Sequence, residues 1–225
     1  MQIQGRFIYG LNYTFMVTCS YKRQSYKASC KPLQGEFSLW DFPVQTLAKR
    51  EVAAYLISEC LGWDLVPPTV LRIEDAPLGP GSLQFFIEHD PDHHYFKFLL
   101  TEKKKLPQVA LFDSLTNNAD RKAGHLLTDP DGELWLIDHG LSFHEDDKHR
   151  TVIWDHAGQS ILKDLLADTK RMRSSLSEGD HMYKAIEQYL TEREIKATQE
   201  RAKKLLLGRF PSTLEDRRVY PWPLV

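Results

Sequence analysis

The chain has 225 residues, of which 42% are hydrophobic and 27% are charged. This composition predicts a folded globular protein of one or two lobes and excludes a disordered chain. The 29 lysines and arginines nearly balance the 31 aspartates and glutamates, so the formal net charge is only -2. Nucleic acid and anionic membranes are therefore not expected as partners without a local basic patch.

The cysteines and the N-terminus indicate the compartment. Cys19, Cys30 and Cys60 lack the spacing of a metal site, and their odd number argues against a disulfide framework. A reducing cytoplasm is therefore the expected location. The first residues do not resemble a secretion signal, and no stretch approaches the roughly 18 apolar residues of a membrane span. Neither secretion nor a membrane span is expected.

The first part of the chain alternates strand patterns with one helix. Residues 13–19 and 26–31 predict a hairpin around a polar turn at 22–25. Residues 46–61 are rich in helix formers, with Thr46 as the expected N-cap and Gly62 as the stop signal. After a double proline, residues 69–73 and 81–88 predict two more strands around a turn that contains proline and glycine.

Beyond a linker at residues 89–92 the periodicity becomes helical. The pattern predicts a strand pair around 129–132 and helices at 106–115, 159–168, 179–190 and 191–207. A β-rich lobe followed by a mostly helical lobe is an α+β bilobal plan. We therefore expect a single compact domain with an N-lobe at about 1–88 and a minimal C-lobe at about 94–225.

Two acidic residues lie where phosphoryl transfer would need them. Asp138 follows three apolar residues, so its carboxylate would emerge where a buried strand ends, and Asp120 lies in a loop rich in Asn, Arg and Lys. Phosphoryl transfer requires carboxylates that hold a metal ion and a residue that orients the nucleophile. We predict that Asp138 binds the metal, that Asp120 orients the acceptor hydroxyl or accepts its proton, and that His125 is a candidate second metal ligand.

Each of these residues also has an ordinary interpretation. An Asp-His-Gly sequence is usually only a turn, Asp120 could be a solvated loop residue or a helix cap, and His125 could be a packed histidine. The spacing of the three residues favours the functional interpretation for Asp138 and Asp120, and it leaves His125 open between a metal ligand and a packed histidine. The histidine-rich residues 89–94 lack cysteines and are interpreted as a solvated loop instead of a zinc site.

The same segments carry a family resemblance. Asp120-Arg121-Lys122 with His125, together with residues 137–143, resembles the catalytic and metal-binding loops of phosphatidylinositol 3-/4-kinase-like proteins. Type II phosphatidylinositol 4-kinases and HipA-like kinases are similar at a greater distance. Most of the chain also resembles a bacterial uncharacterised family related to phosphatidylinositol 3-/4-kinases. The segments that carry this second resemblance are residues 39–43, 50–55, 62–70 and 150–155.

The resemblance implies a protein-kinase-like fold that uses ATP and Mg²⁺ or Mn²⁺. It makes Asp120 the acid of the catalytic loop and Asp138 the metal-binding acid. His125 stands where these kinases commonly have Asn, and imidazole binds Mg²⁺ less readily than an oxygen ligand does. This departure leaves room for Mn²⁺, for a water-mediated contact or for a catalytically weak protein.

The phosphate-anchoring lysine is either Lys31 or Lys27, which lie on the same face of a strand because their spacing is even. Lys31 is favoured because Lys-Pro followed by Gly-Glu is similar to the pattern of the bacterial family. Its expected partner is Glu51, which shares a helix stripe with Leu47 and Ala54 and should face the cleft.

The nucleotide is expected to contact two further segments. A loop at residues 10–14 would cover the phosphates with backbone N–H groups, although a single glycine is a weak signal. The lobe connector at residues 84–88 would offer backbone atoms to adenine. The candidate nucleotide contacts are Gly10, Asn12, Thr14, Lys31, Gln84, Phe86 and Glu88.

These observations predict an ATP-dependent phosphotransferase that acts on an unknown hydroxyl acceptor. A protein or a small molecule is the favoured acceptor, and lipid is less favoured because no amphipathic lipid-inserting segment is visible. Residues 103–105, three lysines, are interpreted as a charged helix face or as a contact for substrate phosphates. The alternatives are a nucleotide-binding pseudokinase that presents its C-terminal helices to a protein partner, and a nucleotidyl (AMP) transferase. The oligomeric state stays open.

Overall fold

The computed structural model describes residues 1–7, 13–74, 76–212 and 218–225. Its N-terminal part is a five-stranded sheet with the order β1-β2-β3-β5-β4, in which all neighbouring strands are antiparallel. The predicted hairpin and the later strand pair are both confirmed. The strands are β1 (Gln2–Arg6), β2 (Phe15–Tyr21), β3 (Gln24–Pro32), β4 (Thr69–Arg72) and β5 (Gly81–Phe85).

The β2–β3 hairpin closes through a tighter turn than the sequence suggests. Tyr21 pairs with Gln24, so only Lys22 and Arg23 form the loop, with φ angles of 45° and 67°. Two-residue hairpin loops with positive φ at both positions match the twist of the strands, although Asn and Gly are the usual residues there. Strand pairing therefore imposes on Lys22 and Arg23 a backbone conformation that residues with long side chains seldom adopt.

Helix α1 (Leu47–Leu61) confirms the predicted helix, and Gly62 ends it with a φ of 71°. The expected cap is wrong in one respect. The Thr46 hydroxyl donates to the carbonyl of Pro43 and does not cap the helix. The carboxylate of Glu36 accepts the Ala48 N–H at 2.8 Å in its place, and a negative charge is favourable at a helix N-terminus. The cap therefore comes from the preceding loop.

The C-terminal part is mostly helical, and the α+β bilobal plan is confirmed. A two-stranded sheet, β6 (Leu126–Thr128) with β7 (Leu134–Leu136), follows α2 and corresponds to the predicted strand pair. The helices are α2 (Leu106–Thr116), α3 (Lys163–Ser175), α4 (His181–Ile186) and α5 (Glu192–Leu205). None of the helices in the described ranges has the length and apolar composition needed to cross a membrane.

The predicted helix at 159–168 is displaced in the structure, because its first residues are extended. Ile161 donates to the carbonyl of Gly208, Phe210 donates to that of Gln159, and Ser160 bridges Arg209. These contacts with the chain beyond α5 occupy the backbone that a helix would use, so α3 begins only at Lys163. The helix predicted at 179–190 is likewise shorter, since α4 covers only His181–Ile186.

The apolar core lies mainly in the C-terminal part. One large cluster includes residues of α2, α3 and α5 and also Ala53, Ala54, Ile57 and Leu61 of α1. The sheet has a separate small buried cluster of Val17, Ala28 and Cys30. Helix α1 therefore packs with the C-terminal helices although it is inserted between strands of the sheet.

Candidate active site

The candidate site is centred on Lys31, which projects from the end of β3. Its ammonium group donates to the Glu51 carboxylate and lies 2.8 Å from Asp138 Oδ1. The three residues come from a strand, a helix and a loop, and the last two are 20 and 107 positions from Lys31. The structure thus brings together the predicted phosphate anchor, its helix partner and the predicted metal ligand.

Lys27, the alternative anchor, lies elsewhere. Its ammonium group is 2.6 Å from Glu88 Oε1, and both side chains are mostly exposed. Lys27 is therefore paired at the surface, while Lys31 is paired in the cleft.

Asp138 follows β7 and adopts a left-handed backbone conformation, with a φ of 60°. This conformation is uncommon for residues other than glycine, although Asp and Asn tolerate it best. Glu51 supports the turn, because its second carboxylate oxygen accepts the His139 N–H at 2.9 Å. One glutamate therefore holds both Lys31 and the backbone that presents Asp138.

Asp138 also contacts His125. The Nε2 atom of His125 is 3.3 Å from Asp138 Oδ2, and its Nδ1 atom accepts the Lys122 N–H at 3.4 Å. A backbone N–H can only donate, so in the neutral imidazole that accepts it the ring proton lies on Nε2, beside the carboxylate. The structure therefore brings the two predicted metal ligands side by side.

Asp120 lies in the loop between α2 and β6. Its backbone N–H donates to the Asn118 side chain at 2.9 Å, which closes a local turn. Its carboxylate is 3.1 Å from Lys122 Nζ, and the side chain is 25% exposed. Asp120 is therefore fixed at its backbone but remains accessible from the cleft.

The ionisation of these groups follows from burial and from their neighbours. Burial, with a smaller contribution from the charge of Asp138, raises the pKa of Asp120 to about 6 although Lys122 opposes the change. Partial burial would raise the pKa of Asp138, but the nearby Lys31 ammonium holds this pKa below its ordinary value. Burial lowers the pKa of His125 to about 4, so this residue is neutral near pH 7.

Lys31 remains charged in the cleft. Burial works against the charge, but the carboxylates of Asp138 and Glu51 raise the pKa of Lys31 above its ordinary value. The Lys31 ammonium group already pairs with anionic oxygens of two carboxylates. It could bind the anionic oxygens of a nucleotide phosphate in the same way.

A buried network that was not predicted lies behind the site. The guanidinium of Arg121 is fully buried and makes hydrogen bonds to both carboxylate oxygens of Asp113 in α2, at 3.0–3.1 Å. It also donates to the carbonyl of Ile137 at 2.8 Å and to His139 Nε2 at 2.8 Å. Arg121 therefore joins the loop that carries Asp120 to the loop that carries Asp138. The detectable signal was Asp113, the only charged residue in the mostly apolar helix α2.

A second buried arginine joins α1 to the C-terminal helices. The Arg50 guanidinium pairs with Glu194 of α5, donates to the carbonyl of Ser142, and lies 4.9 Å from the ring centre of Phe42. Burial lowers the pKa of Arg50, and the charge of Glu194 opposes that change. Because Glu51 is the next residue, this network fixes the position of the helix that holds Lys31.

The predicted nucleotide contacts that the structure describes already have partners within the protein. The carbonyl of Thr14, at the start of β2, accepts the Phe7 N–H, and Gln84 lies in β5 with its side chain bound to Thr69. Phe86 donates its N–H to the Lys27 carbonyl, so that N–H is already engaged in the sheet. Two predicted contacts, Gly10 and Asn12, lie outside the described residues.

The donor set can be tested against a divalent cation. The described part of the chain contains no cluster of three or more His, Cys, Asp and Glu side chains arranged to hold a metal ion. Asp138 and His125 supply two side chains, and 45% of the Asp138 side chain is exposed. Magnesium sites in phosphoryl-transfer enzymes often use one or two carboxylates together with substrate phosphates. Asp138 therefore fits a cation that arrives with a nucleotide.

The sequence of this chain is similar to those of known proteins. Residues 42–197 match the family model of phosphatidylinositol 3- and 4-kinases. The chain is 33% identical to Protein Rv2133c of Mycobacterium tuberculosis (strain ATCC 25618 / H37Rv), over 99% of this chain and 91% of that protein.

Two plant proteins match over shorter regions. Phosphatidylinositol 4-kinase gamma 4 of Oryza sativa subsp. japonica is 33% identical over 48% of this chain, and phosphatidylinositol 4-kinase gamma 2 of Arabidopsis thaliana is 30% identical over 59%. The alignments cover only 22% and 30% of those proteins. A solved structure, the Helicobacter pylori proinflammatory kinase CtkA, aligns over 91% of this chain and 96% of its own, with 14% identity and a TM-score of 0.49.

Proposed function

The chain belongs to the phosphatidylinositol 3- and 4-kinase family, and on that premise we propose that it transfers the γ-phosphoryl group of ATP to a hydroxyl acceptor. The observation that carries the proposal is the position of the Lys31 ammonium group between Glu51 and Asp138. Phosphoryl transfer depends mainly on positioning and on stabilising charge, and this arrangement offers both.

In the proposed reaction Lys31 binds phosphate oxygens and Glu51 holds Lys31 in place. Asp138 would hold a divalent cation, with His125 as its neighbour, and the cation when bound neutralises charge on the phosphates. The anchoring of Glu51 to the His139 N–H supports this assignment, because it fixes the relative positions of the lysine and the metal-binding acid.

Asp120 is the proposed base. The acceptor hydroxyl would give its proton to the Asp120 carboxylate while its oxygen bonds to the γ-phosphorus, and the bridging P–O bond breaks to release ADP. The raised pKa of Asp120, about 6, supports this role, because a base works best when its pKa lies near the working pH. The neighbouring Lys122 would keep the carboxylate ionised at neutral pH.

One observation favours the alternative of a nucleotide-binding pseudokinase. When Nδ1 of His125 accepts the Lys122 N–H, Nε2 carries the ring proton, so metal binding through Nε2 would require that proton to move to Nδ1. Nδ1 faces the Lys122 N–H, which would then be left opposite another donor. In a pseudokinase, ATP would bind with little help from a metal and without turnover.

Calorimetric titration of ATP, with Mg²⁺ and separately with Mn²⁺, tests the proposal. The variant is Asp138→Asn, because Asn accepts the left-handed backbone conformation and removes only the charge. We expect metal-dependent binding to wild type and a loss of at least about tenfold in affinity for the variant. Lys27→Met is the matched control at the surface and should bind as wild type does.

Three results would separate the alternatives. Metal-dependent binding that is lost in Asp138→Asn, followed by phosphate release or transfer, supports the phosphotransferase. Equal ATP binding with and without metal, and no turnover, supports the pseudokinase. No ATP binding to wild type with either metal would overturn both proposals.

A further inference from the structure

Residues 96–105 form an unusual surface, which we call the 96–105 surface. Three large apolar side chains are exposed within five residues: Phe96 at 53%, Leu99 at 67% and Leu100 at 85%. The two leucines lie on a turn, where the Leu99 carbonyl accepts the N–H groups of Glu102 and Lys103. Single exposed apolar residues are ordinary, but a contiguous group usually marks an interaction site.

The same segment is strongly basic. Residues 96–105 contain four lysines and one acid, Glu102, whereas the whole chain has a net charge of -2. The Glu102 carboxylate is turned inward and accepts hydrogen bonds from Thr128 and from the Leu99 N–H. Lys105 pairs with Glu133, whereas Lys97 and Lys104 are exposed and Lys103 lies 5.9 Å from the ring centre of Tyr95.

This surface adjoins the loop that carries Asp120. The short helix Tyr95–Lys97 packs against the helical turn Ala123–His125 of that loop. A second exposed apolar segment contacts the same turn, because the Leu224 carbonyl accepts the Ala123 N–H at 2.8 Å and Trp222 nearby is 76% exposed. Apolar side chains therefore flank the outer side of the catalytic loop in two places.

We propose that the 96–105 surface docks the protein on an anionic membrane surface, with Trp222 as an additional contact. Leucine and phenylalanine side chains enter the boundary between headgroups and acyl chains, and lysines bind the anionic headgroups. Tryptophan is also favoured at that boundary. An acidic protein surface would pair with the lysines. Leu100, which is 85% exposed on a turn, would also need an apolar pocket on that protein, whereas a membrane offers an apolar environment without one.

The sequence does not reveal this surface, because no amphipathic helix carries it. The apolar residues lie on a turn that precedes α2, so they have no helical period. Their exposure is known only from the fold. The absence of an amphipathic helix therefore does not exclude contact with lipid, because a turn can present apolar side chains without a helical period.

Co-sedimentation of the full chain with lipid vesicles tests the proposal. The vesicles are phosphatidylcholine alone and phosphatidylcholine with about a third phosphatidylglycerol, at low and at physiological ionic strength. We expect wild type to bind the anionic vesicles, and to bind less at higher salt. Leu99→Ser/Leu100→Ser and Lys103→Glu/Lys104→Glu should each weaken binding by at least about tenfold.

Matched controls exist elsewhere on the surface. Leu207 is as exposed as Leu100, at 85%, and Lys203 and Lys204 are another exposed pair of lysines. Leu207→Ser and Lys203→Glu/Lys204→Glu should bind vesicles as wild type does. Thermal melting of every variant separates lost binding from lost folding.

The proposal fails if wild type does not bind anionic vesicles, or if the control variants lose as much binding as the test variants. It also fails if the test variants change the oligomeric state and not vesicle binding, since the surface would then join two copies of the chain. It is independent of the proposed reaction, because Asp138→Asn should bind vesicles as wild type does. Loss of ATP binding with intact vesicle binding would overturn the reaction alone.

Discussion

The sheet and the helical part of the molecule hold the candidate site in different ways. The sheet contributes Lys31 from β3, and its own buried cluster consists of Val17, Ala28 and Cys30. The helical part contributes Asp120 and Asp138, and its loops are joined by the buried Arg121. The proposed phosphate anchor therefore stands on the part with the smaller buried cluster, and the two acids stand on the part with the larger one.

Helix α1 decides where the boundary between these parts lies. By sequence it is inserted between β3 and β4, but Ile57 and Leu61 pack in the large core and Arg50 pairs with Glu194 of α5. Glu51 is therefore held by a helix that is anchored in the helical part, whereas Lys31 stands on the sheet. Changes in the helical part should therefore reduce stability, whereas changes at Lys31 should reduce activity with less effect on stability.

The largest effect is expected from Asp113→Ala. The change leaves the Arg121 guanidinium buried without its carboxylate partner, and both side chains are fully buried. Removing one partner of a buried pair costs about 3–5 kcal/mol. Urea unfolding should show this loss, whereas Glu192→Ala, which removes an exposed pair and a favourable charge in the first turn of α5, should cause a much smaller loss. A loss for Asp113→Ala as small as that of the control would contradict the assigned support.

The next effect is expected from Lys31→Met, measured as kcat/KM for ATP. Losing a cation on the phosphates should lower this ratio about 10²-fold or more, which is about 2.7 kcal/mol. Lys27→Met, in the same strand, should leave it near the wild-type value because Lys27 pairs with Glu88 at the surface. The urea midpoint of Lys31→Met should fall less than that of Asp113→Ala. The reverse ranking of the two lysines would exchange their roles.

A smaller effect is expected where the sheet positions Lys31. A Cβ atom at Gly81 would overlap the Lys31 carbonyl oxygen and lie 2.7 Å from Pro32 Cα, so β3 and β5 would have to separate. Overpacking of this kind costs about 1–3 kcal/mol. Gly81→Ala should therefore lower both stability and ATP affinity. Gly5→Ala, at a strand position with open space around the new Cβ, is the control, and equal effects would refute the explanation.

The smallest effect concerns pH. The pKa of Asp120 is raised to about 6, so kcat/KM should be lost as the pH falls through that value and the base becomes protonated. Lys122 lowers this pKa, so Lys122→Met should move the midpoint upward by about one unit or less. His125, with a pKa of about 4, should add no limb near neutral pH. A downward shift in Lys122→Met would contradict the assignment.

Patterns of a single element were predictable from the sequence. The hairpin, α1 with its Gly62 stop and the position of Asp138 after an apolar strand all follow from local periodicity and turn residues. The kinase-like fold was also predictable, because the segments that carry Asp120 and Asp138 resemble the catalytic and metal-binding loops of a known kinase family. The roles of the site residues stay predictions that the experiments above address.

Features that depend on distant contacts were not predictable. The Glu36 cap of α1, the extended residues before α3 and the partners of Arg121 each require two segments that only the fold brings together. An arginine in a polar loop reads as solvated, because burying a guanidinium is costly unless a carboxylate meets it. The sequence shows Asp113 and Arg121 separately, and it does not show that they meet.

The Lys22–Arg23 turn has a practical consequence for anyone who wants to handle this protein. Both residues adopt the left-handed conformation that Asn and Gly adopt at much lower cost, and neither lies near the cleft residues in the sheet register. The double substitution Lys22→Asn/Arg23→Gly should therefore stabilise the sheet without changing the cleft residues. A preparation strengthened in this way would suit crystallisation and long titrations.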